Sequence, residues 1–157
     1  MRKRSSYRPR GVNPKAHVMA MQGAMKLGRD DQLIIAGRVA GAVDAAGQGV
    51  ATQEQWGHIF DALNMIEALA HLGLVRDSAE FIQAHQTNIV QVLNRKKASG
   101  SATLHSEELK QLRDLSATWA EALAVVTHNE FFQAQERVIR KTINAANDPH
   151  VTVMEAA

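Results

Sequence analysis

The chain has 157 residues, 45% of them hydrophobic but only 4% aromatic, and it contains no cysteine. That length suits one domain whose core is built mostly from Ala, Leu, Val and Ile, and the absence of cysteine excludes disulfides, thiolate nucleophiles and Cys-ligated metals. The net charge of +2 hides an asymmetry: Arg2, Lys3, Arg4, Arg8, Arg10, Lys15, Lys26 and Arg29 give residues 1–29 a charge of +8 with no acid, whereas ten basic and sixteen acidic side chains over residues 30–157 sum to −6.

Residues 1–12 hold few apolar side chains, a Ser-Ser pair, Pro9 and Gly11. Such a segment buries too little surface to offset its ordering entropy, so it reads as an arm that is disordered when free. Asn13-Pro14 is a helix start, with Asn as N-cap and Pro at the first helical position. The helix it opens is expected to reach Leu27 and stop at Gly28. Its Val18, Met21 and Met25 form an apolar stripe flanked by Met19, read first as ordinary packing on the body and second as an adaptable binding face. Asp30 and Asp31 are expected to cap the next helix. Leu33, Gly37, Ala40 and Val43 then repeat at helical spacing, in a run of small residues that permits close approach of a neighbour. Gly47 and Gly49 end it.

The third element is the clearest. Thr52-Gln-Glu-Gln55 is a capping box, and Trp56, Ile59, Phe60, Leu63, Ile66 and Leu69/Ala70 repeat every three to four residues until Gly73. Asp77-Ser-Ala-Glu80 opens a fourth helix with Ile82, His85, Ile89 and Val92/Leu93 inward, ending in Arg95-Lys-Lys97. Residues 98–103 form a Ser/Gly/Thr linker. From Ser106 the pattern Leu109, Leu112, Ser116, Trp119, Leu123, Val126 continues into Phe131, Phe132, Val138, Ile139 and Ile143. As one straight helix, residues 107–145 would extend roughly 58 Å, although a compact chain of this size has a radius of gyration of about 15 Å. A break is therefore favoured over a rod that overhangs onto another subunit, and Thr127-His-Asn-Glu130, a second capping-box pattern, is the place for it. Together these elements predict an all-α protein: a helical bundle of four to six helices over residues 13–147, a disordered basic N-terminal arm over 1–12, and a frayed tail over 148–157.

No membrane span is expected, because the longest run without Asp, Glu, Lys or Arg, Phe81–Asn94, is fourteen residues and a span needs about twenty mainly apolar ones. The N-terminus lacks the apolar core of a secretory signal. The seven histidines offer no metal pattern: Glu67 and His71 stand four apart rather than three, and neither a paired Glu-x-x-His set nor His-Glu-x-x-His occurs. His58, His71 and His85 therefore read as helix-face histidines. No nucleophile elbow, P-loop or dinucleotide fingerprint is present. The expectation is a non-enzyme with no cofactor, no metal site and no catalytic residues.

The basic arm carries the functional reading. Arg2, Lys3 and Arg4, with Arg8 and Arg10, bracket Tyr7, so cations alternate with a ring that can stack on a base; Lys15 extends the set. Nucleic acid, or a nucleoprotein, ranks first as partner. An acidic protein surface, of this chain's own kind or another's, ranks second, and an organelle-targeting presequence third.

The opening Met1-Arg-Lys-Arg-Ser-Ser-Tyr-Arg-Pro-Arg-Gly-Val12 resembles the start of a group of small helical proteins of phages and prophages of proteobacteria, which begin with a basic Arg/Lys-Ser-x-Tyr-Arg-Pro stretch. Ala51-Thr-Gln-Glu-Gln-Trp56 and Phe60-Asp-Ala-Leu-Asn-Met-Ile-Glu-Ala-Leu69 resemble the helix that follows in that group. The resemblance implies a phage accessory protein acting in the bacterial host cytoplasm, a regulator or an inhibitor of a host machine. It removes the targeting alternative and supplies no catalytic residues. A homodimer is the expected assembly.

Overall fold

The computed structural model describes residues 14–75, 79–100 and 103–147. Among them the chain is all-α, with six helices: α1 Pro14–Ala24, α2 Arg29–Gly47, α3 Gln53–His71, α4 Ala79–Ser99, α5 Ser106–Val125 and α6 His128–Asn147. The arm (1–12) and the tail (148–157) lie outside the described residues. No described helix is long and apolar enough to cross a membrane.

Helices α2, α3 and α5 pack together and form the centre, α4 closes the side shared by α3 and α5, α6 lies on α3, and α1 lies on α6. The core is built from Trp56, Ile59, Ile66 and Leu69 of α3, Leu112, Leu115 and Leu123 of α5, Ile89 and Val92 of α4, and Val43 of α2, all essentially without solvent contact. The α3 pattern read from the sequence faces inward as expected, with Phe60 and Ala70 half-buried at its margins.

Local chemistry places the ends. The Thr52 backbone N–H donates to Gln55 Oε1 at 2.8 Å and the Gln55 N–H donates to Thr52 Oγ1 at 3.3 Å, which is the reciprocal box. Gly73 takes φ +73° after α3, and its N–H and that of Leu74 return to Ala70 and Leu69 carbonyls. The long C-terminal pattern does break: α5 stops at Val125 and α6 starts at His128. Thr127 N–H donates to Glu130 Oε2 at 2.8 Å, and Glu130 N–H donates to Thr127 Oγ1 at 3.3 Å.

Three details differ from the sequence reading. First, α1 ends at Ala24, before Leu27, because Leu27 is drawn into the core and its backbone N–H turns to Val126 O at 3.3 Å. Second, α2 is capped by Gly28 with no side-chain hydrogen bond; Asp30 and Asp31 lie inside the first turn, where the helix dipole favours them. Third, α2 buries Val39, Ala42, Val43 and Ala46, while Leu33, Gly37 and Ala40 face solvent. Val43, the last member of the row read from the sequence, is buried with Val39, Ala42 and Ala46.

Two substitutions check this assignment of the core. Leu123→Ala, at a position with no exposure, is expected to cost about 3 kcal/mol in urea unfolding. Thr127→Ala, which removes the α6 cap, is expected to cost about 1 kcal/mol.

Candidate partner-binding surface

Six of the seven residues proposed to bind a partner, Arg2, Lys3, Arg4, Tyr7, Arg8 and Arg10, lie outside the described residues. The seventh, Lys15, is exposed in the first turn of α1. The helix that follows the arm is thus the described element nearest to that basic set.

None of the described side chains of α1 is buried. The helix sits on α6 through Gly23, where a Cβ would meet Asn129 Cβ at 3.4 Å. At its C-terminal end the His128 N–H donates to Met25 O at 2.9 Å. Val18, Met19, Met21 and Met25 remain 51–71% exposed. This corrects the reading of that stripe as ordinary packing on the body. Gly23 stands on the opposite side of the helical wheel from the stripe and is half-buried, so its lack of a side chain lets α1 lie close to α6 while Val18, Met21 and Met25 turn outward.

Helix α6 carries a second uncovered row. Phe131 and Val138 are half-buried and only Ala134 is buried, but Phe132, Ile139 and Ile143 are 51–60% exposed. The sequence reading merged these five apolar residues into one face. The wheel separates them: Phe131 and Val138 stand seven apart, and Phe132, Ile139 and Ile143 form the next row, about 100° round. That angular split was the signal available in the sequence. Leu33 and Ile34, exposed at the start of α2, form a smaller third patch.

Polar groups cluster elsewhere. Between α4 and α5, Arg95 forks onto Glu108 at 2.9 and 2.6 Å, and Glu108 Oε2 also accepts from the His105 backbone N–H at 2.7 Å, holding the first turn of α5. Asn88 Nδ2 donates to Glu108 O at 3.2 Å, and the His85 ring nitrogens lie 2.7 and 2.8 Å from Phe81 O and Gln111 O. His85 and Asn88 are both buried. The Arg95 guanidinium, followed by the His105 backbone N–H, holds the Glu108 carboxyl below its ordinary value against the opposing effect of burial. The whole set ties two helices together and presents no reactive group to solvent.

A groove of about 670 Å3 between α3 and α6 has mixed charge: Glu67 pairs with Lys141 at 2.7 Å, lies 3.9 Å from His71, and faces Glu136, Arg137 and Arg140. His58 stands 3.9 Å from Glu54. Asp61, beside a pocket of about 340 Å3 between α2, α3 and α6, is raised by partial burial, with His58 lowering it in part. Among the described residues no three His, Asp or Glu side chains converge as a metal site. The most distinctive feature of the described surface is therefore apolar: the uncovered rows of α1 and α6. No family model, no curated protein and no solved structure matches the chain.

The α4–α5 tie has a pH signature. A carboxyl whose folded value is depressed contributes stability above its ordinary 4.5 and loses it as pH falls through the lower folded value. The difference in melting temperature between the wild type and Glu108→Gln is expected to be full at pH 7 and to shrink steadily below pH 4.5. Thermal melts at pH 7 and pH 3 check this, and an unchanged difference would exclude the Arg95–Glu108 pair as its source.

Proposed function

We propose that this chain is a non-enzymatic accessory protein that engages nucleic acid, or a host machine bound to nucleic acid, through its basic arm, and that it does so as a homodimer. The observation that carries the reading is the charge division: +8 over residues 1–29 against −6 over residues 30–157. A mildly acidic body repels phosphate and leaves contact to Arg2, Lys3, Arg4, Arg8, Arg10 and Lys15, with Tyr7 available to stack on a base. The resemblance of the first twelve residues to phage and prophage proteins favours a role in the bacterial host cytoplasm, as a regulator or as an inhibitor of a defence complex.

A second reading has its own support. The exposed rows on α1 and α6 suit a protein surface better than a nucleic acid. In that reading the chain is a protein–protein module whose arm docks on an acidic patch of its partner.

Deletion of residues 1–12 separates the two. In the first reading the truncated protein keeps the helicity and melting temperature of the full chain and loses nucleic-acid binding. The full chain loses affinity with rising salt at a slope of log K against log salt of about −5 for each arm of six cations on duplex DNA. Filter binding or fluorescence anisotropy over a salt series checks this. Salt-insensitive binding by the truncated protein would remove the arm from the mechanism.

A further inference from the structure

We infer that the α1 and α6 surface is an interface between two copies of this chain, in which the Val18–Met21–Met25 stripe of each α1 covers the Phe132–Ile139–Ile143 row of the partner's α6. The inference specifies the homodimer of the preceding section and rests on that part of it alone, not on nucleic-acid binding.

Four observations carry it. The first concerns α1 itself. It has eleven residues, none of its described side chains is buried, and among the described residues α6 is the only helix it contacts. Isolated helices shorter than about 12–15 residues are marginal in water, and most helices in proteins are held by burial of an apolar face. The face able to supply that burial, with Val18, Met21 and Met25, points away from the body, and no described residue of the chain covers it.

The second is area. Val18, Met21, Met25, Phe132, Ile139 and Ile143, at their observed exposures, leave roughly 620 Å2 of surface open, about three-quarters of the roughly 800 Å2 per partner of a standard protein interface, the rest of which the polar rim would supply. A single short peptide would not need so much, whereas a second copy needs about that amount.

The third is reach. The stripe from Val18 to Met25 extends about 10 Å along α1 and the row from Phe132 to Ile143 about 17 Å along α6, at 1.5 Å per residue. A two-fold axis pairs each stripe with the partner's row, the self-complementary arrangement that closes a dimer and leaves no open end. Two unbranched Met side chains and Val18 on one side and a ring with two β-branched chains on the other suit such packing.

The fourth is charge. Residues 16–25 hold no ionisable side chain except His17. On α6 the charges flanking the row, Glu136 and Arg140, are of opposite sign and lie 3.5 Å apart. Nothing in either row opposes the approach of an identical surface.

The test is sedimentation equilibrium with the full chain. The wild type is expected to have twice the 17.2 kDa chain mass. Met21→Glu combined with Phe132→Glu is expected to raise the dimer dissociation constant by at least about 100-fold, with any loss of helicity by circular dichroism confined to the share of the eleven-residue α1, the helix whose cover the partner supplies. Ile34→Glu, equally exposed on α2, is expected to leave the dimer intact. Should the charged pair cost more helicity than α1 holds, Met21→Gln with Phe132→Gln carries the same test at lower risk. A wild type that is monomeric at 100 µM overturns both the homodimer and this interface, and leaves arm binding standing. A dimer that survives the double substitution, or that is lost in Ile34→Glu while surviving Met21→Glu with Phe132→Glu, overturns the interface alone.

Discussion

At Val126–Thr127 the chain leaves α5 and enters α6, and the geometry of the outer helices follows from how that turn is held. Val126 is buried beside the core, and its carbonyl accepts the Leu27 N–H. The His128 N–H returns to Met25 O, so that Lys26 and Thr127 form an isolated antiparallel bridge. Two connections far apart in sequence, α1 to α2 and α5 to α6, thus satisfy each other's backbone groups at a point where neither helix can supply a partner. Because Leu27 and Val126 are both buried there, the bridge is anchored by apolar contact as well as by hydrogen bonds. It fixes α6 against α3 and α1 against α6, and so determines which residues of both outer helices are left uncovered.

The centre of the fold was legible where local and tertiary signals agree. Helix α3 combines a capping box, a clean apolar period and a terminating glycine, and each lies where its chemistry puts it. The break before α6 was legible for a different reason: a forty-residue rod does not fit a compact chain of this length, and Thr127 and Glu130 supply a cap at the right place. Helix α2 was harder to read. Its composition of Ala, Gly and Val around the whole circumference gives little contrast between faces, so spacing alone selected Leu33, Gly37, Ala40 and Val43, of which packing buries only Val43, together with Val39, Ala42 and Ala46. The Asp30–Asp31 cap failed similarly, because Leu27 leads the chain into the helix from the core and Gly28 occupies the cap position. The basic arm was plain in the sequence, but its side chains fall outside the described residues. The apolar part of the candidate surface was hidden, because a sequence records which residues are apolar and not whether a neighbour covers them.

The absence of charge from Phe81 to Asn94 has a structural explanation. This segment forms most of α4, the face of which meets α5 through a mixture of apolar and amide or imidazole groups: Ile89, Val92 and Leu93 bury alongside His85 and Asn88. The two polar side chains reach carbonyl oxygens of α5 within its first two turns. Contacts of this kind depend on the relative position of two helices more strictly than apolar packing does, so they set the register of α4 against α5. The ionised pair is kept to the end of this seam, where Arg95 is partly solvated and Glu108 both receives it and closes the α5 cap. Burying that pair deeper would have added desolvation cost without adding orientation.

The two sides of the functional surface obey different physics, and this separates their roles. Contact between a basic arm and phosphate is driven by counterion release and weakens steeply with salt. Contact through Met, Phe and Ile side chains is driven by removal of apolar surface from water, is insensitive to salt at moderate concentration, and is strengthened by sulfate or phosphate salts excluded from the surface. Because the arm enters α1 directly, whatever covers α1 also fixes where the arm starts. In the proposed dimer, once one arm has met a phosphate chain the second would meet it at an effective concentration set by their separation, at a lower entropic cost. The exposed methionines and the basic leader would then have separate tasks in that proposal: the salt-insensitive contact would join the two chains, and the salt-sensitive one would meet phosphate.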